Sequence, residues 1–336
     1  MTLALVTGAS GFIGSNVVRA LLDDGIDVRV LVRSQSDNRN LDGLVLDRIE
    51  GDLRDKRSLE RAITGASVVF HIGAKYELSR KHSIDVLQTN VNGTRTLMEV
   101  VLKSGVDRVI HTSSVAAMGH VEENGNLIDE SKWASPSTIA GPYEKSKLIS
   151  ERIVHDLIEH EGLPAVVVNP TAPIGPLDTR PTPTGKLILD GANGAFPAYI
   201  RSAGLNIVHV RDVAQGHILA WKKGRIGQRY ILGNQNGNLS LYEIIAKSAA
   251  CTNRKPPIFP IPYHLTLAYA FLDEYALSRL FRRPPHAPIA GVRLSRHRTW
   301  VNCEKALREL GIPQTPVDEA FLTAIEWFRN EQLIND

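Results

Sequence analysis

The chain has 336 residues, 43% hydrophobic and 22% charged, with a formal net charge of +3. That length suits one large α/β unit or a main domain with a smaller appendage. The small net charge and the lack of any basic run of five or more argue against a nucleic-acid partner, so a small-molecule partner is expected.

Short apolar runs alternate with amphipathic segments of helix length through the first half, the pattern of parallel βαβ units. Strands are expected near 2–7, 27–32, 45–50, 67–72, 107–112 and 164–169, and helices near 12–24, 56–63, 83–104 and 143–161. The opening "MTLALVTGAS" has no basic leader and reads as the first strand rather than a signal peptide. No stretch reaches the roughly 18 apolar residues of a membrane span. Cys251 and Cys303 belong to no ligand pattern and read as reduced, packed thiols, in keeping with a cytoplasmic protein. The fold expected is α/β: a Rossmann-type, doubly wound parallel sheet over residues 1–170. Residues 171–336 form a smaller, mainly substrate-binding part, with a return to the sheet near 205–233. Pro-rich stretches at 255–262 and 282–288 read as loops around a short helix.

"VTGASGFIG" sets Gly8, Gly11 and Gly14 between the first strand and a helix. Glycines there permit a tight turn and close backbone approach, while the helix start offers free N–H groups to a pyrophosphate. Ser10, Phe12 and Ile13 complete this cofactor loop. Arg33 follows the second strand where an acid would hold the ribose of NAD, so NADP(H) is favoured over NAD(H); Arg39 is a second candidate contact. Asp52 and Leu53 after the third strand would border the adenine, unless Asp52 or Asp55 simply caps a helix. In "HIGA", Gly73 and Ala74 leave room for the cofactor, and Pro170 ends the sixth strand on the same side.

"PYEKSK" places Tyr143 four residues before Lys147, one helical turn apart. Alone, that spacing fits either a proton-transfer pair or an ordinary surface pair. The wider pattern distinguishes them. TGxxGxxG at 7–14, the pair at 52–53, "NVNGT" at 90–94, "HTSSVAAMG" at 111–119 and YxxxK at 143–147 together resemble an extended short-chain dehydrogenase/reductase, of the NAD-dependent epimerase/dehydratase superfamily. The likeness continues through "VVVNPTAPIGP", "NIVHVRDVAQGH" and "LRELG". Within it the chain is similar to the dihydroflavonol-reductase-like branch, and "NPTAPIGPLDTRPTPTGKLILDGANG" and "KGRIGQRYILGNQN" look still more like bacterial hopanoid-associated sugar epimerases.

The resemblance implies that Tyr143 is the general acid/base, that Lys147 activates it and holds the nicotinamide ribose, and that Ser114 polarises the substrate oxygen. Asn90 would support the site through the helix or a water. A nearby ammonium should lower the phenol's pKa. Hydride would then pass between the nicotinamide and a carbonyl carbon while Tyr143 moves the proton. No metal is required. His71, His111 and His120 lack ligand spacing and read as packed or loop histidines, while His209 and Asp212 read as a strand end and a helix cap.

Nucleotide-sugar epimerases commonly carry an arginine before the "VHV" strand, where this chain has Leu205, Asn206 and Ile207. That favours a less charged ketone or secondary alcohol over a sugar nucleotide. The expected pocket wall is Tyr76, Met118, Thr171, Ile174, Phe196 and Tyr199. The segment 263–285 reads first as a cap helix, and alternatively as a surface that collects a lipid-linked substrate from a membrane. The long helices near 83–104 and 143–161 could form a homodimer contact, and a non-catalytic, NADP-binding regulator is the minor alternative to an enzyme.

Overall fold

The protein is described by a computed structural model covering residues 2–76, 83–121, 125–135, 139, 141–283 and 289–334. The Pro-rich loop expected at 282–288 falls mostly outside the described residues.

Continuous apolar runs form strands buried on both faces, as parallel sheets require. The first half runs β1 (Leu3–Thr7), α1 (Phe12–Asp23), β2 (Asp27–Val32), β3 (Asp47–Glu50), α2 (Lys56–Ile63) and β4 (Val68–His71). Then come α3 (Ser83–Leu87), a π-turn (Gln88–Asn92), α4 (Gly93–Val101), β5 (Arg108–Thr112), α5 (Pro142–Glu161) and β6 (Ala165–Pro170). The helix expected over 83–104 is therefore interrupted. Gly93 begins α4 where the helix passes Leu53, whose Cβ would lie 2.9 Å from any added Cβ.

The second half holds β7 (Ala172–Ile174), α6 (Pro183–Ala192), β8 (Ala198–Ile200), β9 (Gly204–His209), α7 (Val210–Lys223), β10 (Arg229–Leu232), β11 (Asn238–Ser240) and α8 (Leu241–Ala250). It ends with β12 (Phe259–Ile261), α9 (Tyr263–Leu272), a second π-turn (Asp273–Leu277), α10 (Ser278–Leu280), α11 (Ile289–Leu294), β13 (Arg298–Thr299), α12 (Glu304–Leu310) and α13 (Val317–Asn330).

Seven parallel strands make the main sheet in the order β10-β6-β5-β4-β1-β2-β3. Strand order reverses between β1 and β4, and the crevice at their carboxyl ends is where such sheets bind ligands. One face is covered by Val17 and Leu21 of α1, Val213 and Ile218 of α7 and Leu310 of α12. The other face is covered by Leu59 of α2, Leu97 and Met98 of α4, and Ile153 and Val154 of α5. The return near 205–233 is partial: β10 joins the main sheet beside β6, whereas β9 pairs with β7, β11 and β13 in a smaller sheet. Among the described residues no helix is long and apolar enough to cross a membrane.

Candidate active site

The loop after β1 is shaped by glycine. Gly8 has φ +71°, and a Cβ there would come within 2.5 Å of Gly73 Cα; one on Gly14 would lie 2.1 Å from the Gly8 carbonyl oxygen. Only glycine lets these backbone segments approach so closely. Gly11 precedes α1 without a side-chain cap, and no acid stands in the first turn, so the open amides present a positive helix end to a diphosphate.

This loop forms one end of a cleft of about 730 Å³ across the switch point. Gly8, Ser10, Gly11, Phe12, Ile13, Gly14, Arg33, Asp52, Leu53, Gly73, Ala74 and Pro170 all line it. The donor set and the space left by the glycines fit a dinucleotide. Arg33 is exposed at the end of β2 and makes no ion pair or side-chain hydrogen bond among the described residues. Arg39 also lines the cleft, but its guanidinium is forked onto Asp37 at 2.9–3.1 Å, with Arg180 3.5 Å from the same carboxylate. The Asp37 carboxyl is held down near 2, chiefly by the Arg39 hydrogen bonds. Asp52 is engaged by Arg54 at 2.9–3.0 Å, and the cap of α2 is Asp55, which accepts from the Arg57 N–H.

At the other end stand Ser114, Tyr143 and Lys147. Glu144 accepts from the Gly141 N–H at 3.1 Å and Pro142 occupies the first turn, fixing the start of α5 at the cleft. The Ser114 side chain accepts from the Ala116 N–H at 3.2 Å and lines the cleft together with Tyr143. Lys147 is 5% exposed, donates to the Thr112 carbonyl at 2.8 Å, and places Nζ 6.0 Å from the Tyr143 ring centroid. Burial drives its ammonium down to about 8, partly offset by Glu151. Burial also raises the Tyr143 pKa above the ordinary phenol value, with a smaller contribution from Tyr76, and the nearby Ser114 only partly offsets it. Burial of the phenol thus acts against the lowering expected from the ammonium.

Asn90 sits in the π-turn, away from the cleft lining. Its carbonyl oxygen accepts from the Lys75 N–H at 2.7 Å, and its amide donates to the Lys75 carbonyl at 3.0 Å and to Ser146 Oγ at 2.9 Å. It ties the loop after β4 to α5.

Of the expected pocket wall, Tyr76 and Thr171 line the cleft. Met118 and Ile174 do not: they are 2% and 1% exposed, in apolar clusters with Ile128 and Val301, and with Ile188 and Phe321. Phe196 and Tyr199 lie off the cleft, where the Tyr199 ring packs 4.9 Å from that of Tyr242. Their places are taken by Val115, Ala116, Pro173, Leu205 and Thr299.

Several groups around the site carry no sequence signal. Glu151, two turns below Tyr143, is fully buried and accepts from Ser113 Oγ and from Asn169 Nδ2 at 2.9 Å; Asn169 also donates to the Ser114 carbonyl at 3.2 Å. Asn40 holds the cofactor loop to the chain after β7, donating to the carbonyls of Ser10 and Leu177 at 3.2 and 3.0 Å. His71 bridges Thr7 and Thr94, buried and held neutral with a pKa near 3, while His111 stacks on it and His120 stacks on His297. His209, rather than Asp212, caps α7, because Asp212 is taken up by the N–H and hydroxyl of Thr315.

Residues 4–233 match the model of the NAD dependent epimerase/dehydratase family. The chain belongs to that family. It is similar to a putative dihydroflavonol 4-reductase of Synechocystis sp., 40% identical over 97% of this chain and 94% of the relative. It is 36% identical to sterol demethylase protein B of Methylococcus capsulatus, over 98% and 99% of the two chains. Among solved structures, gox2253 superposes with a TM-score of 0.87 at 39% identity, covering 100% of both chains. The protein is therefore an NAD(P)-dependent enzyme of the oxidoreductase and epimerase kind.

Proposed function

We propose that this family member is an NADP(H)-preferring reductase that interconverts a ketone and a secondary alcohol of low charge, with Tyr143 as general acid/base. The observation that carries the reading is that Ser114, Tyr143 and Lys147 line one cleft with the glycine loop, the Lys147 Nζ lying 6.0 Å from the Tyr143 ring centroid.

The nicotinamide cofactor, when bound, supplies or accepts the hydride. The chain's own groups do the rest. Ser114 Oγ and Tyr143 Oη would together hydrogen-bond the substrate oxygen, where negative charge develops on reduction. The raised Tyr143 pKa keeps the phenol protonated and ready to donate, and Lys147 stabilises the phenolate left behind. In the reverse direction the same phenolate accepts the alcohol proton. Arg33 supports the NADP(H) preference, because an exposed fork at the end of β2 suits a 2′-phosphate and Asp37 is already neutralised by Arg39 and Arg180.

Leu205 and Asn206 line the substrate end, where a sugar nucleotide would need a cation. The Asn206 amide is already spent on Asn234 and Asn238. This weighs against a sugar epimerase acting in hopanoid biosynthesis. The names of the two relatives, one a reductase and one tied to a sterol, support carbonyl chemistry on an apolar, lipid-like substrate.

Calorimetric titration with NADPH and NADH, on wild type and Arg33→Ala, tests the cofactor. NADPH should bind more tightly, and the substitution should erase the difference; equal or tighter NADH binding would refute the preference. Tyr143→Phe should keep nucleotide affinity and lose about 10²–10⁴-fold in turnover. Retention of full turnover would remove Tyr143 from its role.

A further inference from the structure

Residues 251–300 carry eight Lys and Arg against only two acids, Asp273 and Glu274, a formal +6 in a chain whose total is +3. The segment from β12 through α10 is held to the body by the pairing of β12 with β8 and by a strip in which Tyr263, Leu267 and Ala270 meet Ile200, Ala203 and Val292. Several of its other apolar side chains face outward. Phe259, Leu265, Leu272, Tyr275, Leu280 and Phe281 are each more than half exposed. Monomeric soluble proteins rarely leave so much contiguous apolar surface uncovered.

The two acids do not face outward with them. Asp273 is fully buried and pairs with Arg283 at 2.6 Å, and Glu274 accepts from the Ile289 N–H at 2.8 Å. Lys255, Arg279, Arg282 and Arg296 are exposed. The Arg279 guanidinium lies 5.9 Å from the Tyr275 ring centroid, so a cation borders the apolar surface. The outward surface is thus apolar with a basic rim and its acids turned in.

We infer that this arm docks the enzyme on an anionic lipid bilayer, with the helical segment lying in the interface. Aromatic and aliphatic side chains enter the boundary between headgroups and acyl chains, while the guanidinium groups meet lipid phosphates. A second copy of the chain is the poorer occupant, since it would bring the same positive surface against the first. The inference stands independently of the cofactor and the reaction.

The full-length protein is co-sedimented with vesicles of phosphatidylcholine alone and of phosphatidylcholine mixed with phosphatidylglycerol, at low and high salt. Binding is expected to the mixed vesicles, weakening as salt rises. It should fall at least about tenfold in Arg279→Glu/Arg282→Glu and in Leu280→Ser/Phe281→Ser. All four residues are exposed, so both variants should keep wild-type thermal unfolding and nucleotide affinity. Three results overturn the inference: no binding by the wild type, binding that survives both variants, or a concentration-dependent oligomer that these substitutions dissolve and that occupies the arm instead.

Discussion

The Tyr76 ring stands edge-on to the Tyr143 ring, with centroids 4.2 Å apart and planes at 82°. Edge-to-face pairs contribute about 0.5–1.5 kcal/mol beyond their buried area, and here the contact steadies the Tyr143 ring at the cleft. Asn90 fixes the backbone of Lys75 next in the chain, so the aromatic wall and α5 are held together. Tyr76→Ala should lower kcat by about 2- to 10-fold, the same energy expressed as rate. Tyr76→Phe, which keeps the ring, should stay near wild type. Steady-state kinetics on any carbonyl compound that supports turnover checks both.

The alkaline limit of turnover is expected to follow Lys147. Its pKa near 8 arises from burial, whereas the phenol beside it is raised, so the ammonium is the first of the two to lose its proton as pH rises. Reductive kcat/KM should be level through neutral pH and fall above about 8, and Lys147→Arg should abolish that limb even if its rate is lower. The stability effect has the opposite sign. Because the folded value lies below the unfolded 10.5, the unfolded chain holds more protons between about 8 and 10.5, and Lys147 makes stability rise with pH across that window. Denaturant melts of wild type and Lys147→Met over this range should diverge accordingly.

The legible parts of the site are those in which chemistry and chain order coincide. Gly8, Gly11 and Gly14 follow a strand and precede a helix, and Tyr143 and Lys147 share one helical turn, so local spacing sufficed to bring them to one cleft. The pocket wall was less legible because Met118 and Ile174 follow strands just as lining residues do, and nothing local tells an apolar residue facing the core from one facing a cleft. The π-turn at Asn90 was hidden too, since its cause is contact with Lys75 and Ser146, 15 and 56 residues away. In the sequence Asp273 and Glu274 interrupt the basic character of 263–285, and only the fold reveals that both are turned inward.

Glu151 and Arg229 form the charge pair behind the site. The carboxylate and the guanidinium Nε approach to 2.5 Å, with side chains 0% and 6% exposed, in a contact that is not aligned as a hydrogen bond. Arg229 also donates to the carbonyls of Glu130 and Lys132 and lies 4.0 Å over the Trp133 ring, so it anchors the chain between β5 and α5. Removing one partner of a buried pair leaves an uncompensated charge, at a cost of about 3–5 kcal/mol. Arg229→Met and Glu151→Met should each lose stability on that scale in urea melts, and the double substitution should recover part of it. Equal, additive losses would mean that the two groups act separately.

The glycine loop makes a graded test of how the dinucleotide is held. A methyl at Gly14 would sit 2.1 Å from the Gly8 carbonyl oxygen, and because both positions are backbone, relief requires moving the turn itself. At Gly11 the corresponding distance is 3.3 Å, which a shift of a few tenths of an ångström accommodates. Overpacking of the first kind costs about 1–3 kcal/mol, and displacement of the turn also misaligns the amides at the start of α1. Gly14→Ala should therefore weaken nucleotide binding at least about tenfold by calorimetry and lower the melting temperature, with Gly11→Ala milder in both. If Gly11→Ala loses binding as severely while its melting temperature stays at the wild-type value, the ligand itself must pass within methyl contact of Gly11, and the closest approach of backbone to diphosphate lies there rather than at Gly14.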